Sequence, residues 1–174
     1  MPQAIVLMGV SGSGKTSVGL RLSEILGWRF FDGDDLHPRE NIVKMTSGIP
    51  LNDDDRSAWL ESLHDLIEGQ LNEGYSILVA CSALKRKYRD QLRKGNPGLT
   101  FVYLKGDYEL IFSRMEGRKT HYMDSRMLQS QFDDLEEPKQ AIVINIDQDV
   151  ESIVNQILQN LDLDNYRSND GTKS

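Results

Sequence analysis

Residues 9–16 read Gly9-Val10-Ser11-Gly12-Ser13-Gly14-Lys15-Thr16, and they fill every fixed position of the pattern G-x-x-x-x-G-K-[ST]. The glycines let the backbone turn through conformations closed to other residues and come close to a ligand. Successive N–H groups then face inward at the start of a helix, where an anion is favoured. Lys15 adds a mobile positive charge, and the Thr16 hydroxyl suits a magnesium ion. The pattern also occurs as a glycine-rich turn with no ligand, so its flanks matter. An apolar run, Ala4–Gly9, precedes it, and Val18, Leu22, Ile25 and Leu26 follow on one helical face before the stop at Gly27. Strand, loop and helix are therefore in the order a nucleotide phosphate loop requires.

Working outward, four more runs of β-branched and aliphatic residues read as strands: Arg29–Asp32, Ser76–Cys81, Thr100–Lys105 and Ala141–Ile146. Most are continuous in apolarity, as in a sheet covered on both faces. Between them lie helical stripes. Trp59, Leu63, Leu66, Ile67 and Leu71 form one before Gly74, and Tyr108, Ile111, Phe112 and Met115 form another behind Asp107 as N-cap. Asp149 caps a last helix with the face Val150, Ile153, Val154, Ile157 and Leu161. Such stripes are core-packing faces. The alternation predicts an α/β fold with a five-stranded parallel sheet flanked by helices and right-handed crossovers.

The chain has 174 residues, which suits a single domain over 1–162 followed by a polar tail, 163–174. Its one cysteine, Cys81, excludes an intramolecular disulfide and suits a reducing compartment. No apolar run approaches the ~18 residues that span a bilayer, and the N-terminus has no basic region ahead of its apolar run. These features predict a cytoplasmic protein that does not engage membranes. The net charge of −7 argues against nucleic acid as a partner and requires that an anionic substrate be met by local cations or a metal.

Phosphate-loop proteins differ in where the γ-phosphate goes. The guanine-reading pattern Asn-Lys-x-Asp is absent, and the run Ser76–Cys81 leads into Ser82-Ala83-Leu84-Lys85 rather than an acidic residue. Asp32-Gly33-Asp34 does stand at the end of the second strand. On an extended segment, residues two apart point the same way. Asp32 would then help hold a hydrated Mg²⁺ through water, while Asp34 would reach an acceptor hydroxyl. The plain alternative is a solvated acidic turn.

At this point the chain resembles the gluconate kinase (gluconokinase) family. The residues that carry the resemblance are Gly9–Thr16, Asp32–Asn41, Lys44-Met45, Pro50–Arg56, Cys81–Asp90, Tyr103–Gly106, Gln131-Phe132, Leu135–Pro138 and Ile146-Asp147. The His37-Pro38 and Asn52–Arg56 segments are the most specific to that family, and the match spans roughly residues 4–160. The resemblance implies a P-loop fold of the nucleoside-kinase type. It also implies transfer of phosphate from ATP, with Mg²⁺, to the 6-hydroxyl of D-gluconate, by a protein that forms a homodimer.

The remaining candidates follow from this reading. His37 is either a residue at a helix entrance, before Pro38, or an acceptor-site residue. Asn52 and the three aspartates after it suit a helix N-terminus. Arg56 offers the planar cationic fork that a sugar-acid carboxylate needs, or else it ties down Asp53–Asp55 in a salt bridge. Lys85 and Arg89 follow the third strand at the carboxyl edge, where open α/β sheets bind ligands, and are read as acceptor contacts. Arg86 and Lys87 are read as surface charge. Arg114 and Arg118 share a helical face and lead into Lys119-Thr120-His121-Tyr122-Met123, like a small lid, roughly 114–126, whose arginines close on the nucleotide and the transferring group. Lys15, Asp34 and Arg118 are thus the expected catalytic residues. Rival readings are a shikimate or adenylylsulfate kinase of the same fold, and a nucleotide-binding module without an acceptor. A shikimate kinase would carry a glycine pair where Ser82-Ala83 stand.

Overall fold

A computed structural model describes residues 1–116 and 125–163. Its five strands are β1 (Ala4–Met8), β2 (Arg29–Asp32), β3 (Ile77–Ala80), β4 (Leu99–Lys105) and β5 (Ile142–Asn145). They form one sheet in the order β2-β3-β1-β4-β5, with every pairing parallel. The helices are α1 (Lys15–Leu26), α2 (Arg39–Thr46), α3 (Asp53–Asn72), α4 (Arg86–Arg93), α5 (Tyr108–Glu116), α6 (Ser125–Asp134) and α7 (Val150–Asn160). The five expected strands are all present, each within about a residue of its predicted span.

The continuous apolarity of the central strands has the expected cause, because both of their faces are covered. Ile5 and Leu7 of β1 join a core with Val18 and Leu22 of α1, Ile111 of α5 and Ile153 and Ile157 of α7. Ala4, Val6 and Met8 face the other way, onto Trp59, Leu63 and Ile67 of α3 and Leu92 of α4. Every residue of β1 and β3 is buried, whereas the edge strands β2 and β5 are only partly covered.

Parallel pairing brings all the strand exits to one edge. Asp32 is level with Ala80, and Leu7 is level with both Ala80 and Val102. Gly9 N donates to Ser82 O at 3.3 Å, so the phosphate loop and the loop after β3 leave the sheet side by side. The expected caps are in place. Asp149 accepts from Ser152 N at 2.7 Å and Asp107 from Leu110 N at 2.8 Å. Asn52 and Asp55 form a reciprocal capping box at the start of α3. No helix among the described residues is long and apolar enough to cross a membrane.

Candidate active site

The phosphate loop has the shape its glycines allow. Gly12 and Gly14 sit at φ +82° and +96°, and a Cβ on Gly9 would come within 2.9 Å of Leu104 O. No side chain caps the N-terminus of α1, whose N-cap is Gly14, so its first N–H groups are left without a side-chain acceptor. Lys15 reaches back with Nζ onto Gly9 O and Val10 O, both at 2.9 Å. Burial lowers its pKa, while Asp34, and after it Cys81 and Asp32, act to raise it. A helix start without a side-chain cap, beside a tethered ammonium, fits a nucleotide polyphosphate.

The acidic turn differs from its sequence reading. Asp34 is not on an extended segment: β2 stops at Asp32, and Gly33–Leu36 form a 3₁₀ turn. Asp32 Oδ1 caps that turn by accepting from Asp34 N at 3.0 Å. In addition, β3 lies between β1 and β2, so the carboxylates approach the phosphate loop across an intervening strand. Gly33 is required here, since a Cβ would meet Ala80 O at 2.6 Å. Trp59 Nε1 donates to Gly33 O at 2.7 Å and pins the turn to α3. This contact escaped the sequence reading, which took Trp59 only as a core residue.

Asp34 leaves 75 % of its side chain open to solvent, yet the surrounding protein raises its carboxyl pKa, opposed by Lys15 and assisted by Asp35. Asp32 is raised as well, chiefly by burial, with its bond from Asp34 N pulling the other way. Neighbouring Asp34 is His37, with Nε2 3.7 Å from Asp34 Oδ1. The His37 ring is buried and stacked on Trp59 at 4.1 Å. Its other nitrogen, Nδ1, lies 3.2 Å from Asn41 Nδ2, which also donates to Asp55 O at 2.8 Å. An amide NH₂ can only donate, so Nδ1 is the acceptor and the ring proton sits on Nε2, facing Asp34. Burial, and then Arg56, lower the His37 pKa to about 4, so the ring is neutral at pH 7.

Arg56 is placed by the first turn of α3. Its Nη1 donates to Tyr88 Oη at 3.0 Å and to Asp134 Oδ2 at 3.2 Å, with 12 % of the side chain exposed. It does not tie down the aspartates before it. Asp55 is held by Lys44 at 2.8 Å, and Asp53 by Lys85, Lys87 and the Tyr88 hydroxyl. These three donors hold the Asp53 carboxyl well below the usual range. Among the described residues, only Nη1 of the Arg56 fork is engaged. Tyr88, bridging Asp53 and Arg56, was missed in the sequence, and Lys87 is an ion-pair partner rather than idle surface charge.

Arg89 departs from its expected place at the ligand. It is buried, and its guanidinium is spent on the carbonyls of Ala83, Leu84 and Glu136 at 2.7, 3.1 and 2.8 Å. Those bonds hold the loop after β3, in which Ala83 adopts the left-handed φ of +46° that favours glycine. Lys85 stays at the cleft but is paired with Asp53 at 3.1 Å. Arg114 donates to Ile146 O at 2.6 Å, beside the exit of β5. Arg118 and most of the expected lid lie outside the described residues, as does the tail beyond Leu163. Cys81 is buried, its thiol pushed up to about 12, and it takes no part as a nucleophile.

For a metal, the available donors are oxygens. Thr16 lies next to Lys15 at the start of α1, and Asp32 at the end of β2. Among the described residues no group of three or more His, Cys, Asp or Glu could hold a metal ion. A sparse set of hard oxygen donors fits Mg²⁺, which keeps most of its water and takes phosphate oxygens as ligands.

Residues 11–162 match the family model described as shikimate kinase. The chain is 50% identical over 153 residues to the thermoresistant gluconokinase of Escherichia coli strain K12, covering 86% of this chain and 87% of that protein. The thermosensitive gluconokinase of the same strain is 47% identical over 161 residues, covering 90% and 86%. This chain belongs to the gluconokinase family of shikimate kinase-like P-loop enzymes. A crystal structure of a gluconokinase from Sinorhizobium meliloti 1021 is 44% identical and superposes with a TM-score of 0.85 over 92% of both chains. Membership makes the chain an ATP-dependent phosphotransferase, and the parallel sheet with its phosphate loop is the fold of that family.

Proposed function

We propose that this enzyme transfers the γ-phosphoryl group of ATP to the 6-hydroxyl of D-gluconate. The observation that carries the reading is the linked row Lys15, Asp34, His37, Arg56. Lys15 and Asp34 feel each other's charge, Asp34 and His37 are 3.7 Å apart, and His37 feels Arg56. A phosphate donor at one end and a carboxylate-binding cation at the other suit an open-chain sugar acid whose reacting hydroxyl is distal to its carboxylate. The gluconokinase relatives at 47–50% identity support the same acceptor.

In this mechanism the phosphate loop N–H groups and Lys15 hold the polyphosphate. Thr16 and, through water, Asp32 would hold a magnesium ion, which would supply charge neutralisation to the bound polyphosphate. Asp34 orients the acceptor hydroxyl and takes its proton. The Nε2–H of neutral His37 donates to a substrate oxygen, and the free edge of the Arg56 guanidinium receives the carboxylate bidentately. Arg114 and Arg118 cover the transferring group. Lys85 flanks the acceptor, while Arg89 supports the loop beneath it. A cytoplasmic homodimer completes the proposal.

The match to the shikimate kinase model favours a second reading, with shikimate as acceptor. Ser82-Ala83 occupy the place of that enzyme's glycine pair, and Ala83 is held at positive φ by Arg89, so the turn survives without glycine. Product analysis decides. Incubation with ATP and D-gluconate should yield one phosphate monoester whose phosphorus couples to C6 in NMR. Phosphorylation at another carbon, or none with gluconate, overturns the proposal.

A further inference from the structure

We infer that α6 positions the donor and acceptor sites against each other, with Gln131 holding the phosphate loop and Asp134 holding Arg56. The two residues are three apart and so share one face of the helix. Gln131 Oε1 accepts from Ser11 N at 2.7 Å, a contact 120 residues apart in sequence. A backbone N–H only donates, so the carboxamide oxygen is the group on the loop. On the same face, Asp134 Oδ2 takes Arg56 Nη1 at 3.2 Å. One helix thus grips a phosphate-loop amide with one residue and the acceptor-side guanidinium with another.

The helix is itself well anchored. Leu128 is fully buried in the core, and Phe132 packs edge-on against Tyr108 of α5 at 5.7 Å. Just past the end of α6, Glu136 N donates to Leu84 O at 2.8 Å. Glu136 O accepts from Arg89, and Glu136 Oε1 accepts from Arg86 N at 3.1 Å. A shift of α6 is therefore felt at the phosphate loop, at Arg56 and at the loop after β3 together. Gln131 and Asp134 are positioning residues: each acts on substrate through the group it holds. Binding of nucleotide and acceptor is then coupled through α6, and this second half of the inference rests on Arg56 being the acceptor's cation.

The test uses the full chain and Gln131→Met, Gln131→Glu, Asp134→Asn and the Gln131→Met/Asp134→Asn pair. Amide exchange in the nucleotide-free protein reads the first contact directly. Ser11 N–H is protected in the wild type, exchanges at least tenfold faster in Gln131→Met, and stays protected in Gln131→Glu, which keeps an acceptor oxygen. Titration with Mg²⁺ and the non-hydrolysable analogue AMPPNP should show a Kd three- to tenfold weaker in Gln131→Met, the equilibrium equivalent of one hydrogen bond. In Asp134→Asn that Kd, measured without gluconate, stays at the wild-type value. Saturating gluconate should tighten AMPPNP at least threefold in the wild type, and by less than 1.5-fold in Gln131→Met and in Asp134→Asn. The pair should show no further loss of coupling. Unchanged Ser11 exchange in Gln131→Met, tighter AMPPNP binding by that variant, or coupling that survives in both single variants overturns the inference. Gluconate that fails to bind the wild type overturns the acceptor assignment instead, and the Ser11 exchange and AMPPNP arms still decide the role of Gln131.

Discussion

His37 Nε2 faces Asp34 Oδ1 at 3.7 Å, and the Asn41 amide donating to Nδ1 leaves the ring proton on Nε2. The separation exceeds a hydrogen bond but leaves no room for an atom between the two groups, so a substrate hydroxyl that meets both would approach from the solvent side, where Asp34 is exposed.

Asp34→Asn should lower kcat by about 10²- to 10⁴-fold, the range of a positioned general base. The raised carboxyl pKa adds a second expectation. The ionised form is disfavoured in the fold, so stability is lost as pH rises through the folded pKa, and the neutral Asn avoids that loss. The melting temperature of Asp34→Asn at pH 7.5 should therefore equal or exceed that of wild type, with the difference vanishing at acid pH. For the wild type, kcat/KM should fall on the acid side with a midpoint above the ~3.9 of a free aspartate. Melting curves and pH–rate profiles on the same preparations check both signs.

His37 should make the fold acid-sensitive. Its folded pKa is about 4 against the ordinary 6.5 of a free imidazole, so the unfolded chain takes up a proton first as pH falls. The associated stability is complete above pH ~6.5 and is lost progressively toward pH ~4, by at most about 3 kcal/mol. His37→Gln should flatten the fall in melting temperature between pH 6.5 and 4.5. An unchanged slope would show that the ring protonates as easily in the folded state as in the unfolded chain.

Arg56→Ala should raise the gluconate KM about ten- to a hundredfold, from loss of a charge-assisted pair of ~1.5–3 kcal/mol. Arg56→Lys should recover only part of the loss, because an ammonium lacks the fork. Tyr88→Phe, which removes one of the two groups holding Nη1, should raise the same KM about three- to tenfold. The KM for ATP should rise by no more than the roughly few-fold coupling between the two sites that runs through Arg56. Initial-rate kinetics with each substrate varied in turn provide the measurement.

Trp59→Phe keeps the stack on His37 but removes the donor to Gly33 O. A carbonyl at a crowded turn would lose its partner, costing about 1–3 kcal/mol of stability. Because that turn carries Asp32 and Asp34, kcat should fall as well. Urea unfolding and turnover, measured together, separate this from a purely structural effect, in which stability drops and kcat holds.

Strand positions, sheet direction and the phosphate loop were legible because they rest on local signals: apolar runs, glycine spacing and caps such as Asp107 and Asp149. Contacts between residues distant in sequence were not. Arg56 and Asp134 are 78 residues apart, and Trp59 and Gly33 are 26 apart, with no pattern in the chain to announce either pair. Arg89 was misjudged because position at the carboxyl edge says nothing about which way a long side chain turns; three carbonyls claim it. The 3₁₀ turn at Gly33–Leu36 escaped notice because a Gly between two Asp residues suits an extended exit equally well.

The most direct measurement of the acceptor is ADP release, coupled to a reporter, with ATP and Mg²⁺ and either D-gluconate, shikimate, adenylylsulfate or no acceptor. The account predicts turnover with D-gluconate at a kcat/KM at least a hundredfold above either alternative, and only background without acceptor. Release of ADP that is equal with and without gluconate, or faster with shikimate or adenylylsulfate, would contradict it.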